Sequence, residues 1–291
     1  MQRTQFLVLF IALLLSFGAA AQNPVPTTRT SHGKIQAPEL DELSGIVASV
    51  NNPGSFWVHN DSGDKARFFL IDSTTQLQRT FYLEGIQAID MEDIAWVQRN
   101  GENYLILADI GDNLGRRQDI RLYLVKEPKL AESKTVDTIR AAAIETKVLQ
   151  YPGKARDSEA LFVDPLDNQL YMVSKREFKS ALYTADIFGQ ERSSYQLREV
   201  LKFPFTFITA ADMAMDRRAV LMKNLTTIFY WPIGDQDPLV KALAKPSVSL
   251  QYDPEPQGEA ITFSREDEGF FTISERPFGL DSYLYHYHTK P

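Results

Sequence analysis

Five oxygen-bearing side chains recur at one position of five similar short stretches. They are Ser44 in LSGIVA, Glu92 in MEDIAW, Glu159 in SEALFV, Asp212 in ADMAMD and Glu259 in GEAITF. If the five converge, each pair of carboxylates about 6 Å apart costs roughly 3 kcal/mol at an effective dielectric near 20. Buried carboxylates therefore need protons or a cation.

The ligand types indicate which cation would bind. Oxygen ligands without His or Cys favour a hard cation, and an adaptable site formed by residues from separate strands favours Ca²⁺ over Mg²⁺. The structural alternative is that the side chains bond to neighbouring backbone N–H groups.

The sequence around these residues predicts short strands. No long stretch keeps apolar residues at helical spacing, whereas β-branched and aromatic runs alternate with Gly, Pro, Asn and Asp. Each of the five stretches opens a unit of predicted strands, as in DIAWV, YLILAD, IRLYLV and ETKVLQY. Units of four strands over roughly 40 to 50 residues are typical of propeller blades. In a propeller the first strand of each blade lines the central channel, so the five residues would form one ring.

The two ends of the chain are predicted to complete the last blade. The fifth unit ends after its third strand, SYLYHYH, and the segment SHGKIQAP precedes the first unit without a partner. Pairing these segments closes the ring without a free edge. Residues 31–291 are therefore predicted to form one all-β domain, a five-bladed propeller of four-stranded blades. A sixth blade would have to hide in the long second unit, whose AESKTVDTIRAAA stretch does not resemble one. A two-sheet sandwich would not explain five equivalent positions.

The first residues read as a secretory signal peptide. An apolar run from Phe6 to Phe17 precedes Ala19, Ala20 and Ala21, and this pattern predicts a signal peptide at 1–21 with cleavage near Ala21. Residues 22–30 are predicted to be a flexible mature N-terminus. We expect a secreted or periplasmic monomer without a membrane span. The chain has no Cys and a net charge of −7, which excludes disulfides and disfavours nucleic acid.

A second group of polar residues closes the predicted second strands, beside the starts of the first strands. It comprises Asp61, Asp109, Asp112, Lys175, Arg176, Lys223 and Arg276. Basic side chains around an acidic, metal-filled centre suit an anionic ligand that bridges metal and protein. Asp112 and the four basic residues are predicted to bind substrate, and Asp61 or Asp109 to orient water. Each charge taken singly is also compatible with a solvated surface.

Three functions are compatible with this pattern. The first is a Ca²⁺-dependent hydrolase of an anionic small substrate, such as a phosphate ester or phosphoanhydride. The second is a non-catalytic module that binds a carbohydrate, another ligand or a protein, with structural calcium. The third is a calcium-dependent lactonase or esterase. No G-x-S-x-G, P-loop or H-E-x-x-H motif is present. His286 and His288 are interpreted as outer-surface residues rather than ligands, and His59, near the channel mouth, as a possible acid or base.

Two resemblances extend this interpretation. Over nearly its whole mature length the chain resembles secreted bacterial propeller proteins of unassigned activity, through LSGIVAS, HNDSGD, DMEDIAW, ADIGDN, DSEALFVDP, ITAADMAMDRRAV and GEAITF. The ring order is also similar to that of soluble calcium-activated nucleotidases, or apyrases, which are five-bladed propellers with axial Ca²⁺. That resemblance assigns Ser44, Glu92, Glu159 and Glu259 to calcium and places Asp61 at an acidic turn. It does not extend to Asp212, which replaces a Ser, or to DIGDN, which replaces a catalytic turn.

Overall fold

Five sheets contain almost all the regular structure of residues 23–131 and 134–289, the part of the chain that this computed structural model describes. The predicted signal peptide at 1–21 lies outside the described residues. Each sheet is built on four antiparallel strands, and the innermost strands contact one another in a closed ring of five. The fold is therefore a five-bladed β-propeller, as predicted. Among the described residues, no helix is long and apolar enough to cross a membrane.

The strands of the five blades run from the channel outwards. Blade 1 contains β2 (Leu43–Ala48), β3 (Ser55–Asn60), β4 (Arg67–Asp72) and β5 (Leu77–Leu83). Blade 2 contains β6 (Met91–Arg99), β7 (Glu102–Asp109), β8 (Ile120–Lys126) and β10 (Ile144–Gln150). Blade 3 contains β11 (Ser158–Asp164), β12 (Gln169–Ser174), β13 (Ala181–Ala185) and β15 (Arg198–Lys202). Blade 4 contains β16 (Ala210–Met213), β17 (Ala219–Lys223), β18 (Ile228–Pro232) and β19 (Val248–Leu250). Blade 5 contains β20 (Ala260–Phe263), β21 (Phe270–Ile273), β22 (Tyr283–Thr289) and β1 (Thr27–Lys34).

Blade 5 joins the two ends of the chain. Strand β1 pairs antiparallel with β22 from Thr27 opposite Thr289 to Lys34 opposite Tyr283. This pairing confirms the predicted closure of the ring. The strand starts at Thr27, so residues 27–30 are ordered by hydrogen bonds to β22 and do not belong to the flexible N-terminus predicted for 22–30.

The segment before an outer strand lies on the edge of the preceding blade. Strand β9 (Val136–Ile139) pairs parallel with β5, and β14 (Tyr195–Gln196) pairs parallel with β10. Val25 makes a parallel bridge to Leu250, and helix α1 (Leu239–Leu243) packs into the apolar cluster between blades 3 and 4. The AESKTVDTIRAAA stretch therefore supplies a fifth strand to blade 1, and not a sixth blade.

Apolar side chains between neighbouring blades form the core. Five buried clusters are present in the described residues, one at each blade interface. The inner and second strands carry near-continuous apolar runs such as AITF and YLILA, since both of their faces are covered by neighbouring blades. Trp57, fully buried between blades 1 and 2, also donates its indole N–H to Glu127 Oε1 at 2.8 Å.

Polar side chains add a bond at each blade interface. Ser44 donates to the Glu92 carbonyl at 2.8 Å, and Asp93 accepts the Leu161 N–H at 2.9 Å. Between blades 3 and 4, Asp164 accepts two bonds from the Arg217 guanidinium. The remaining two contacts are Phe263 N to Asp212 Oδ2 at 2.8 Å and Ala48 N to Thr262 Oγ1 at 3.2 Å. The ring is thus joined by directed bonds as well as by apolar packing.

Candidate functional site

Bulges at the start of three inner strands place the predicted ring residues. In β2, β6 and β11 one extra residue interrupts the ladder, and these residues are Ser44, Glu92 and Glu159. A β-bulge adds a residue to one strand only and re-aims its side chain, which is why such bulges occur beside functional sites. Three blades therefore direct polar groups out of the regular side-chain alternation, at one end of the channel.

Two overlapping groups of carboxylates meet at this end. Asp61, Asp90 and Glu92 each offer an oxygen within 4.8 Å of the other two, and Glu92, Asp157 and Glu159 do the same. We call these five residues the carboxylate cluster. All of them are buried except Asp61, which is half-buried at the mouth. Two Ca²⁺–O bonds of about 2.4 Å separate ligand oxygens by at most about 4.8 Å, so either group has the spacing to hold a calcium ion.

A lysine side chain reaches into the same cluster from the end of the second strand of blade 3. Lys175 forms an ion pair with Glu159, and its ammonium lies 3.6 Å from Glu259 Oε1. The ammonium is also 5.3 Å from the centre of the Phe207 ring. Glu259, predicted as a metal ligand, thus contacts the cluster through Lys175. Burial alone would lower the pKa of Lys175, but the charges of Glu159 and Glu259 raise it above its usual value.

Burial and mutual repulsion raise the pKa values of the acidic groups. Burial raises the pKa of Asp90 to about 6, with further contributions from Asp61 and Asp157. It raises the pKa of Glu159 to about 8, although Lys175 opposes the change. The pKa of Glu92 also lies well above its ordinary value, because of burial first and the charge of Glu159 second. Without a metal, part of the cluster therefore holds protons near neutral pH.

The backbone of the loop after β7 is in close contact with the same carboxylates. Gly111 donates its N–H to the Asp90 carbonyl at 3.1 Å. A Cβ at residue 111 would lie 2.1 Å from Glu92 Oε1 and 2.5 Å from Asp90 Oδ2. Only glycine leaves room for both carboxylates at this position.

Two of the five predicted ring residues have other roles. The Ser44 hydroxyl lies at the bulge of blade 1 but donates its hydrogen bond to the Glu92 carbonyl. Asp212 is not in the ring, because β16 has no bulge and Asp212 pairs with Leu221, one position further into the strand than a bulge residue would lie. Its carboxylate accepts the Phe263 N–H and the Thr262 hydroxyl, and it lines a separate small pocket with Arg265. Asp212 thus forms the hydrogen bond to a backbone N–H of the neighbouring blade that was the alternative to metal binding.

The DIGDN turn is held together by its own carboxylates. Asp109 is fully buried and accepts bonds from the Arg117 guanidinium, the Tyr123 hydroxyl and the Asp90 N–H. Asp112 accepts the N–H groups of Arg116 and Arg117 at 2.9 and 2.7 Å. These contacts anchor the loop that carries Gly111, and they direct neither carboxylate towards a ligand.

The other predicted basic residues differ in burial and in the groups that they contact. Arg176 is exposed and donates to Asp157 Oδ2 at 2.6 Å. Lys223 is fully buried, contacts the Gly258 carbonyl and lies 5.1 Å from the Tyr252 ring centre; burial lowers its pKa to about 8. Arg276 donates to the Ile35 carbonyl. Lys175 and Arg176 are therefore the two predicted basic residues in contact with the carboxylate cluster.

His59 is packed inside the channel wall. Its Nδ1 lies 2.9 Å from the Asn60 carbonyl, and a Cβ on Gly45 would lie 2.2 Å from its Nε2. The ring is fully buried, and burial lowers its pKa below the usual value. The side chain is thus neutral at neutral pH and enclosed, without access to a ligand at the mouth.

The structure adds two acidic residues that the sequence interpretation missed. Asp90 and Asp157 complete the two groups that share Glu92. The signal for both was present, since Asp90-Met91-Glu92 and Asp157-Ser158-Glu159 repeat one Asp-x-Glu pattern in neighbouring blades. Glu275, which follows the second strand of blade 5 beside Arg276, lies close enough to Glu259 to repel it.

Comparisons with known proteins support the architecture. No protein-family model matches the chain, and no curated protein matches its sequence. Among solved structures, an auxiliary nutrient binding protein from Bacteroides thetaiotaomicron VPI-5482 aligns with a TM-score of 0.50 at 10% identity, over 90% of this chain and 76% of that chain. A chain of a nidogen/laminin complex aligns with a TM-score of 0.49 at 11% identity, over 81% and 73%. At 10% identity the first similarity shows the fold alone. This chain therefore shares the β-propeller fold with that nutrient binding protein.

Proposed function

We propose that this protein is an extracytoplasmic propeller that binds Ca²⁺ in the carboxylate cluster and binds an anionic small molecule through the loaded cluster. The observation that carries this proposal is the pair of three-carboxylate groups that share Glu92. Five buried or half-buried carboxylates on neighbouring blades need compensating charge, and Lys175 and Arg176 together supply two positive charges.

The ligand set favours calcium among the common divalent cations. All side-chain ligands in the cluster are carboxylate oxygens, which suit hard cations. They come from separate blades and turns, so their spacing adjusts more easily to the irregular, six- to eight-fold shell of Ca²⁺ than to the strict octahedron of Mg²⁺. Asp61 and Asp90 would hold the ion on one side of Glu92, and Asp157 and Glu159 on the other.

An anionic ligand requires the cation. The mouth carries more acidic than basic groups, and Arg176 is already paired with Asp157. An anion would therefore be repelled by the cluster alone and attracted once a divalent ion is bound. Lys175 and Arg176 would then contribute the remaining positive charge, as the sequence pattern predicted.

A calorimetric titration tests the proposal. Protein stripped with chelator is titrated with Ca²⁺ and with Mg²⁺, and thermal unfolding is followed in parallel. We expect one Ca²⁺-selective site and a rise in Tm, both lost in the double variant Glu92→Gln with Glu159→Gln. A double variant of exposed acids, Glu102→Gln with Asp235→Asn, is the matched control for charge. Binding that survives the first pair would show that the cluster is not the calcium site.

Hydrolysis of a phosphate ester or phosphoanhydride is a second candidate, favoured by the position of Asp61. It is the half-buried member of the cluster, at the mouth, beside Asp90 and Glu92. A bound cation would stabilise negative charge on a phosphoryl oxygen. Asp61 would orient a water molecule and accept its proton.

Turnover separates the catalytic and non-catalytic candidates. We expect a hydrolase to release phosphate from ATP or p-nitrophenyl phosphate only with Ca²⁺. Asp61→Asn would then lower kcat even at Ca²⁺ concentrations that saturate the variant, as judged by its own Ca²⁺-dependent rise in Tm. Anion binding that depends on Ca²⁺ but occurs without turnover would instead identify a non-catalytic binding module.

A further inference from the structure

Three of the chain's four histidines meet on blade 5, away from the carboxylate cluster. His286 and His288 lie on β22 with one residue between them, so their side chains share one face, and their ring centres are 3.9 Å apart. His32, on the neighbouring strand β1, lies with its ring centre 5.6 Å from that of His286. Asp267, in the turn between β20 and β21, faces the His286–His288 pair.

The spacing of these groups brings three ligand atoms within reach of one metal ion. Asp267 Oδ1 lies 3.2 Å from His286 Nε2, and Asp267 Oδ2 lies 3.5 Å from His288 Nδ1. One ligand atom from each of the three residues lies within 4.8 Å of the other two. Zinc bonds of about 2.1 Å to nitrogen and oxygen place tetrahedral ligand atoms about 3.4 Å apart. Small movements of three side chains would therefore surround one ion.

The turn that carries Asp267 is built to hold this geometry. Ser264 Oγ accepts the Asp267 N–H at 3.2 Å, and Asp267 Oδ1 accepts the Gly269 N–H at 2.8 Å. A Cβ at residue 269 would lie 2.4 Å from His286 Nε2, so glycine at this position keeps the nitrogen clear. His286 is buried, whereas Asp267 and His288 are exposed. The site is anchored on one side and open to solvent on the other.

We propose that Asp267, His286 and His288 bind one late first-row transition metal ion, of which Zn²⁺ is the probe used here. Two imidazoles and one carboxylate suit Zn²⁺, Ni²⁺ and Cu²⁺ and disfavour Ca²⁺ and Mg²⁺, which prefer oxygen ligands. Three protein ligands on an open face leave a fourth position for water or for an exogenous ligand. This assignment replaces the interpretation of His286 and His288 as plain surface residues, and it is independent of the proposed calcium function.

The test uses full-length protein without a polyhistidine tag. Zn²⁺ is titrated calorimetrically in excess Ca²⁺, which competes for sites made only of oxygen ligands, and Co²⁺ is titrated with the visible absorption of the bound ion as a second readout. We expect one Zn²⁺ per chain. Asp267→Asn and His288→Gln change exposed side chains and should each weaken binding at least about tenfold, since even outer-shell partners of metal ligands are worth 10- to 100-fold.

His32→Gln is the matched control. His32 Nδ1 already lies 3.2 Å from the Ser73 carbonyl, and His32 is outside the three-residue group, so we expect unchanged Zn²⁺ affinity and Co²⁺ absorption. The proposal is overturned if wild-type protein binds no Zn²⁺ at micromolar concentrations. It is equally overturned if Asp267→Asn and His288→Gln bind as tightly as wild type, or if His32→Gln weakens binding as much as His288→Gln.

Discussion

The ammonium of Lys175 forms an ion pair with Glu159 inside the cluster of carboxylates that we propose binds calcium. The lysine places a buried positive charge among several carboxylates. Without it, their negative charges would face one another with no buried cation between them. A divalent ion at Glu92 and Glu159 would share these carboxylates with the lysine and be repelled by it. Lys175 should therefore weaken calcium binding even though it stabilises the metal-free protein.

Replacing this lysine tests the competition. Lys175→Met keeps the apolar stem and removes the charge, so we expect Ca²⁺ affinity to rise at least about tenfold, because repulsion over several ångströms exceeds 1 kcal/mol at an effective dielectric near 20. Ca²⁺-dependent anion binding should weaken in the same variant, since the ammonium no longer contributes. Calorimetry measures both. Lys179→Met, at an exposed position nearby, should change neither. An unchanged Ca²⁺ affinity in Lys175→Met would contradict the competition.

Asp212 tests whether the position of an acidic residue along the inner strand decides if it can bind the metal. Its carboxylate joins blade 4 to blade 5 and lies outside the carboxylate cluster. Asp212→Asn should therefore preserve the Ca²⁺-dependent rise in Tm, while lost and altered hydrogen bonds lower the free energy of unfolding by about 1–2 kcal/mol. Urea denaturation with and without Ca²⁺ measures both quantities. A variant that folds normally and no longer responds to Ca²⁺ would place Asp212 in the metal site after all.

The raised pKa values predict how stability depends on pH. Glu159 and Glu275 have pKa values of about 8 in the folded chain, largely through burial, against ordinary values of 4.5. Between about pH 7 and pH 8, above the range in which the lowered pKa values of His59 and His286 act with the opposite sign, the folded state therefore binds more protons than the unfolded state, and stability falls as pH rises. Urea denaturation in chelator should show this decline.

Two variations check the origin of the pH effect. Glu275→Gln should reduce the decline, and saturating Ca²⁺ should reduce it too, because the ion compensates the carboxylates. Above pH 8 the buried Lys223, whose pKa is lowered to about 8, acts with the opposite sign, so the comparison stays below that value. Stability that increases with pH between about 7 and 8 in chelator would contradict the assignment.

Two adjacent arginines allow the stability contribution of a buried ion pair to be compared with that of an exposed one. Arg217 binds Asp164 with two bonds of 2.8 and 3.0 Å across the interface of blades 3 and 4, with both side chains buried. Arg217→Met should lower the free energy of unfolding by about 3–5 kcal/mol, because it leaves a buried charge unpaired. Arg218 pairs with the exposed Asp216, and Arg218→Met should cost about 1 kcal/mol or less. Equal losses in urea denaturation would show that burial does not distinguish the two pairs.

The repeat pattern predicted the architecture, and local backbone geometry limited the prediction of the site. Five recurring strand units and an unpartnered N-terminal segment were enough to predict five blades and their closure. The identity of an acidic residue was not enough to predict its direction, because a bulge re-aims Glu92 and Glu159 whereas the regular ladder of β16 keeps Asp212 away. Bulges have no fixed sequence signature, so the two cases look alike in a linear alignment.

Contacts between segments that are distant in the sequence explain the other differences between the sequence predictions and the structure. Strand β9 is short and exposes Val136 and Thr138, and its position is fixed by pairing with β5 rather than by its own sequence. Asp109 and Asp112 resemble ligands in the sequence, but the turn that contains them uses their oxygens to hold Arg117 and its own backbone. The convergence of Asp267 with His286 and His288 depends on the neighbouring hairpin, which the alternation of YHYH alone does not reveal.

The pairing of Thr27 with Thr289 also sets the order in which the molecule can be completed. Strand β1, the first strand among the described residues, has no β22 to pair with until that strand has been synthesised, and at about 5–20 residues per second this wait lasts roughly 10–50 s. During that interval blades 1 to 4 can form while the partner of β1 is still missing. Closure of the ring therefore has to wait for β22, and a nascent chain that stalls before β22 leaves the ring open.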